Sequence, residues 1–191
     1  LLANLSDFDP KAHALPVKDW LEIDRYALAM TRQLQGELQA HYDAYEFHFI
    51  VQKLQSFCSE DLGGFYLDIL KDRLYTSGAD SRARRAAQNA LFHIAQALTR
   101  WMAPILSFTG EEVWGELSGS SDDSVFLHTW HELPSQASEA DLLDRWTRIR
   151  TIRAEVQKEL ETVRVAGGSL GDSIVVADAD GQPLPLGGVD D

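Results

Sequence analysis

One cysteine, two methionines and six prolines stand among 191 residues, and basic side chains are few beside acidic ones, 17 Lys and Arg against 30 Asp and Glu. The lone Cys58 excludes an internal disulfide and any multi-cysteine zinc site, and it suits a reducing compartment. No apolar run approaches the roughly 20 residues a membrane span needs. A formal charge of −13 opposes indiscriminate binding to nucleic acid, DNA included, because the mean field repels phosphate. The opening "LLANLSDFDP" has neither an initiator Met nor the basic-then-apolar pattern of a signal peptide. With the tail "DGQPLPLGGVDD" it reads as if both ends were cut from a longer protein.

What is present is apolar and helical. A hydrophobic share of 45% with five Trp belongs to a folded protein. Trp20, Ile23, Ala27, Met30, Leu34, Leu38 and Tyr42 recur at the three-and-four spacing of one buried helix face. "YDAYEFHF" holds a turn into a second helix with the face Phe47, Ile50, Val51, Leu54, Cys58, Leu62, Phe65, Tyr66 and Ile69, interrupted at Gly63-Gly64, where a break or a close helix contact is expected. That periodicity makes Cys58 a buried thiol rather than a nucleophile. "TSGAD" is a turn in which Asp80 is placed to cap a third helix, with Ala83, Ala87, Ala90, Leu91, Ile94, Leu98, Trp101 and Met102 inward and Pro104 at its end. "TGEEVWGEL" opens with a capping box from Thr109 to Glu112, and "VFLHTW" reads as a short extended piece. A last helix from near Ser138 carries Leu142, Trp146, Ile149, Ile152, Val156, Leu160 and Val163. One strand follows the glycine-rich "AGGSLG", and its partners should lie beyond Asp191, since one strand makes no sheet. The fold class is therefore all-α: a bundle of four to five helices, then the first strand of a truncated α/β unit.

Charge is unevenly spread. From Lys71 to Arg85 five basic residues meet two acidic ones. On a helical wheel Arg82, Arg85, Asn89, His93, Gln96 and Arg100 fall within about 80° of one another, opposite the apolar face and without an acid among them. Arg82 and Arg85 also stand in the early turns, where the helix dipole disfavours cations. The pattern fits either an RNA-facing surface or a solvated face. His128, His131 and Glu132 are too loosely spaced for a metal site. "AGGSLG" lacks a phosphate-loop spacing, and no nucleophile triad or carboxylate pair emerges.

The blocks "LLANLSDFDP", "FYLDILKDRLY", "ADSRARRAAQNALFHI" and "RWMAPILSFTGEEVW" together resemble the anticodon-binding region of bacterial isoleucyl-tRNA synthetases. "LLDRWTRIRTIRAEVQKELE" followed by "GGSL" is similar to that family's link into a C-terminal junction. The resemblance implies a helical anticodon-binding domain over 1–135, a long connecting helix over 136–166 packed on the bundle, and a truncated junction domain from 167 to 191. It implies a cytoplasmic, monomeric protein-biosynthesis ligase that uses ATP with Mg to attach isoleucine to its tRNA. The catalytic centre would lie upstream of Leu1, and a zinc-bearing tail, if there is one, beyond Asp191. This stretch alone should hold no cofactor and should be inactive. Arg82 and Arg85 are then the first candidates for tRNA contact, with Lys71, Arg73 and Arg84 next. The alternatives are a helical protein-interaction module and the equivalent domain of a valine or leucine enzyme.

Overall fold

The computed structural model describes residues 1–120, 122–165 and 167. The expected strand and the "GGSL" link fall almost entirely outside the described residues. The chain divides into two compact units, Leu1–Leu143 and Asp144–Asp191.

In the first unit, α1 (Glu22–Asp43), α2 (Phe47–Ser56), α3 (Asp68–Thr76), α4 (Arg82–Met102) and α5 (Ser107–Ser118) form an all-helical bundle. α6 (Glu139–Val165) starts in this unit and supplies the helix of the second. α1 carries Glu22 and Asp24 in its first turn, at the positive end of its dipole. Leu28 and Leu38 of α1 pack into a core with Ile50, Tyr66, Leu70, Leu91, Ile94 and Trp101, all essentially without solvent contact. α4 is the central element, against α1, α3, α5 and the first residues of the chain.

α2 and α3 are joined without a break by a π-helical stretch, Phe57–Leu67. The glycine pair does not interrupt the helix. Bonding five residues back brings each carbonyl close: a Cβ on Gly63 would meet the Cys58 carbonyl at 3.1 Å, and one on Gly64 the Ser59 carbonyl at 3.3 Å. The wider turn also shifts the buried face. Phe57 and Leu70 are buried where an α-helical period predicts Cys58 and Ile69, and both of those are exposed. Cys58 is thus a surface thiol, its pKa raised by partial burial. That leaves it weakly nucleophilic at neutral pH.

Other local expectations shift as well. Ser81, not Asp80, caps α4, its hydroxyl accepting from the Arg84 N–H at 3.3 Å. α5 starts at Ser107, so Thr109 lies within the helix and forms no cap. Val125–Leu127 is a 3₁₀ turn rather than an extended piece. Pro104 does stand just past the end of α4.

α5 meets the end of α4 through Gly110, where an added Cβ would lie 3.0 Å from the Ala103 Cα and 3.1 Å from its Cβ. Trp114, Val125 and Ala103 form a small buried cluster beside that contact. Gly110→Ala should therefore cost about 1–3 kcal/mol, the usual range for overpacking, despite Ala's better helix propensity. Urea denaturation would measure it; an unchanged or raised stability would mean that the α4–α5 contact yields.

After the 3₁₀ turn the chain runs as a strap over α1. Arg32 donates from Nη1 to the Leu133 carbonyl at 2.7 Å, Gln35 to the His131 carbonyl at 3.0 Å, and Gln136 to the Arg25 carbonyl at 2.7 Å. Arg32 also pairs with Glu139 at 3.0 Å, tying in the start of α6. Leu142 is buried, whereas Ile149, Ile152 and Val163 further along α6 are exposed. No described helix is long and apolar enough to cross a membrane.

Candidate nucleic-acid interface

The polar stripe of α4 is not a solvent face. Arg85, Gln88, Asn89 and Gln96 are buried along with the apolar residues of the same helix, so α4 is covered on nearly every side. Residues 4–15 account for much of that cover. Gln88 donates to the Asn4 carbonyl at 3.0 Å and to Asp7 Oδ1 at 2.7 Å. Asn89 accepts from the Leu15 N–H at 3.1 Å and donates to the His13 carbonyl at 2.8 Å. The 3₁₀ and turn backbone of this segment leaves polar groups to satisfy, and the α4 amides satisfy them.

The arginines take part in the same arrangement. Arg85, with a side chain 10% exposed, donates to the Asp7 carbonyl at 3.0 Å and to Gln88 Oε1 at 2.8 Å, and pairs with Asp80 at 3.0 Å. Arg84 reaches both Asp7 carboxylate oxygens at 3.1 Å and the Leu74 carbonyl. Burial pushes the Asp7 carboxyl up, but Gln88 and Arg84 outweigh it and hold the group below the ordinary carboxylate value. Arg73 is largely buried against Asp24, which has no solvent exposure and also accepts from the Tyr66 hydroxyl at 2.7 Å. Desolvation raises the Asp24 pKa, and Arg73 and Tyr66 only partly offset it.

Two of the five candidates face solvent. Arg82, 65% exposed, donates through Nε to the Asp19 carbonyl at 2.8 Å, with the Asp19 carboxylate 3.6 Å from Nη2. Lys71 pairs with Asp68 one turn back at 3.0 Å. So the basic surplus between Lys71 and Arg85 is spent chiefly on Asp7, Asp24 and Asp80, and what it presents outward is Arg82 and Lys71.

A second surface feature escaped the periodicity. At the α1–α2 corner Tyr45 adopts a positive φ of 58° and turns the chain, leaving its ring 79% exposed. Phe47 meets Tyr45 edge-on at 6.1 Å and Tyr42 at 5.9 Å, and Tyr42 meets Trp130 of the strap at 5.8 Å. Phe47 and Phe49 are exposed too, with His48 4.0 Å from the Phe49 ring. The signal was in "YDAYEFHF", whose aromatic density exceeds what a turn requires. Planar exposed rings of this kind stack on unpaired bases.

His128 binds Asp123 at 2.8 Å, and His131 shares a 2.9 Å hydrogen bond with His93. Among the described residues no group of three His, Cys, Asp or Glu is placed to ligate an ion.

Residues 24–169 match the family model described as the anticodon-binding domain of tRNA ligase. Among curated relatives, the isoleucine–tRNA ligase of Thiobacillus denitrificans is 79% identical over 174 residues, covering 91% of this chain and 18% of that protein. Those of Dechloromonas aromatica and Cupriavidus pinatubonensis are 62% and 59% identical over 167 and 176 residues, covering 87% and 91% of this chain and again 18% of each relative. The chain thus spans less than a fifth of the length of the relatives it matches.

Proposed function

Because the chain belongs to the family of tRNA-ligase anticodon-binding domains, we propose that it recognises the anticodon stem-loop of isoleucine tRNA on behalf of a longer, ATP-dependent isoleucine–tRNA ligase. The observation that carries this reading is the family match over residues 24–169, joined to 79% identity with a protein of that name. The chemistry, with ATP and Mg, belongs to the rest of such an enzyme, and this chain contributes recognition alone. The reading carries with it a cytoplasmic protein acting as a monomer.

Arg82 and Lys71 are the residues we assign to direct RNA contact. Arg73, Arg84 and Arg85 act through position: Arg73 ties α3 to α1, and Arg84 and Arg85 fix α3 and the first residues of the chain against α4, shaping the surface that Arg82 and Lys71 rim. The exposed rings of Tyr45, Phe47 and Phe49 supply stacking. Net acidity elsewhere then discourages misplaced binding.

An anisotropy titration of the 191-residue chain with isoleucine tRNA and an unrelated tRNA tests the reading. A preference of about tenfold, roughly 1.4 kcal/mol, is expected. Equal affinity would overturn it in favour of a protein-interaction module; a preference for valine or leucine tRNA would reassign the parent. In the same assay Arg82→Ala should weaken binding by about 1 kcal/mol and flatten the salt dependence by about one unit of slope. Its fold should be unaffected, since an exposed pair contributes little to stability. Unchanged affinity and slope would remove Arg82 from the interface.

A further inference from the structure

Where the π-helical stretch passes the end of α4 there is an apolar groove of about 290 Å³. Val51, Leu54 and Cys58 wall it on one side and Met102, Ile105 and Leu106 on the other, with Gln55 its one polar neighbour. It falls just under the roughly 300–1,000 Å³ of small-molecule sites, a size that suits the side chains of a polypeptide. Apolar surface continues past its rim: Leu106 is 51% exposed, and Phe108, in the first turn of α5, is 90% exposed. Glu111 follows Phe108 by one turn and accepts from the Val125 N–H at 3.0 Å. That bond sets the 3₁₀ turn, with its exposed Phe126 and Leu127, alongside the same stretch of α5. A contiguous apolar surface of this kind marks a contact, where scattered exposed residues do not.

Charge around the groove has one sign. Residues 54–70, with Leu54 and Cys58, hold three acids and no Lys or Arg. Residues 101–143, with the opposite wall, hold eight acids and again no Lys or Arg. The cations that border these segments are held elsewhere, Lys53 by Glu37 at 2.7 Å and Arg100 by the Gln96 side chain at 2.6 Å. Exposed Glu60 follows Cys58 by two positions. Phe108, Glu112 and Glu116, all exposed, recur at four-residue intervals and so share one face of α5. α5 has no basic residue in its last turn, which leaves Glu116 near the negative pole of the helix without a cation there to offset it. Such a surface repels RNA, and a second copy of the chain would bring the same acids against it.

We infer that this groove and its apolar rim seat an amphipathic helix whose apolar row is flanked by Lys and Arg, supplied by the part of a longer ligase outside these 191 residues, an inference that rests on the longer-enzyme reading above. This chain covers 18% of each relative, so more than four-fifths of their length remains to provide such a helix. Apolar side chains of the helix fill the groove and cover Phe108, while its basic flanks meet the acids of the π-helical stretch and of α5. The groove is then a contact within the enzyme, separate from the surface that Arg82 and Lys71 present to RNA.

Cys58 lines the groove and is the one cysteine of the chain, so its alkylation at mildly alkaline pH reports whether the groove is filled. The probes are two synthetic amphipathic helices that share a leucine row, one flanked by lysines and the other by glutamates. The lysine helix should slow iodoacetamide modification of Cys58 in the 191-residue chain by about fivefold or more, read by mass spectrometry, and the glutamate helix should not. Phe108→Ser, and separately Glu112→Lys with Glu116→Lys, should raise the peptide concentration needed by about tenfold. Circular dichroism should be unchanged in both, because all three side chains are exposed, and Glu155→Lys on α6 should leave the protection intact. In the longer ligase Cys58 should already react about fivefold more slowly than in the 191-residue chain, and the double Glu→Lys variant should restore its reactivity. The inference is overturned if both helices protect alike, if neither does, if the variants respond as the unsubstituted chain, or if Cys58 is equally reactive in the longer ligase. Protection that grows with chain concentration alone would give the face to a second copy, and protection by isoleucine tRNA would give it to RNA; either result overturns it as well. A chain that shows the expected protection but no tRNA preference keeps the groove and loses the anticodon reading.

Discussion

Arg73→Ala should lower the stability of the bundle by about 3–5 kcal/mol, the cost of leaving one member of a buried ion pair alone. Asp24 is the residue left behind. It has no solvent exposure, and without Arg73 it would keep the Tyr66 hydroxyl at 2.7 Å and the Leu21 backbone but no counter-charge. An uncompensated carboxylate at such a place takes up a proton. The sign of the pH dependence follows from there. Desolvation already raises the folded-state pKa of Asp24, so its contribution favours the folded state at low pH and is lost as pH rises through the folded value. Removing Arg73 raises that pKa further. The deficit of the variant relative to the parent should thus be largest near pH 7 and shrink as pH falls toward the carboxylate range. Asp24→Asn added to Arg73→Ala should recover part of the loss at pH 7, since the amide needs no counter-charge. Urea denaturation at several pH values would measure all three. A cost below about 1 kcal/mol, the range of exposed pairs, would mean that the Asp24 site is wet. Any loss of tRNA affinity in this variant should track unfolding, because Arg73 is an interior residue.

Acidification should destabilise the fold between pH 6.5 and 4 through a second buried pair. His93 Nδ1 and His131 Nε2 lie 2.9 Å apart, with Trp20 and Phe92 around His93 and the Arg100 cation acting on His131. Burial lowers both imidazoles to about 4 from an ordinary 6.5, and for His131 the charges of His93 and Arg100 add to it. Below 6.5 the unfolded chain takes up protons that the folded chain refuses, so stability present at neutral pH is lost progressively down to the folded value. At about 1.4 kcal/mol per unit for each group, with the two coupled through one hydrogen bond, a loss on the order of 3 kcal/mol is expected. The consequence reaches the surface. His131 belongs to the strap that Gln35 and Arg32 hold over α1. The double variant His93→Gln, His131→Gln should show a flatter profile over this window. Matching profiles in parent and variant would assign the acid sensitivity to other groups.

Much of this was written in residue order. The predicted positions Ala27, Leu34 and Leu38 of α1 and Ala87, Ala90, Leu91, Ile94, Leu98 and Trp101 of α4 are buried as a 3.6-residue period requires, while Met30, Ala83 and Met102 are only half-buried. The turn at Tyr45, the turn at Gly78 before α4 and the stop at Pro104 follow from local chemistry. The four quoted blocks also carried the family, since they run in order along the chain. Residue sequence did not reveal the π-helical stretch. A switch from four-back to five-back bonding is decided by how Phe57, Leu62 and Tyr66 fit the core, and it moves Cys58 and Ile69 outward.

Sequence alone determined, then, that the chain is helical, which faces of its helices are apolar, and to which family it belongs, because these depend on spacing within one helix or on local similarity. Only the tertiary structure decided what the polar residues do. A wheel places Arg85, Asn89 and Gln96 opposite the apolar face, but it cannot show that residues 4–15 lie across much of that side, 70 or more positions away in sequence. It cannot tell a cation that meets RNA from one that meets Asp7 or Asp24. Nor does it bring Tyr42, Arg100 and Trp130 to one cavity from three distant segments. A polar side chain pairs with whatever folding brings within about 3 Å, and over such separations the packing of the bundle chooses the partner.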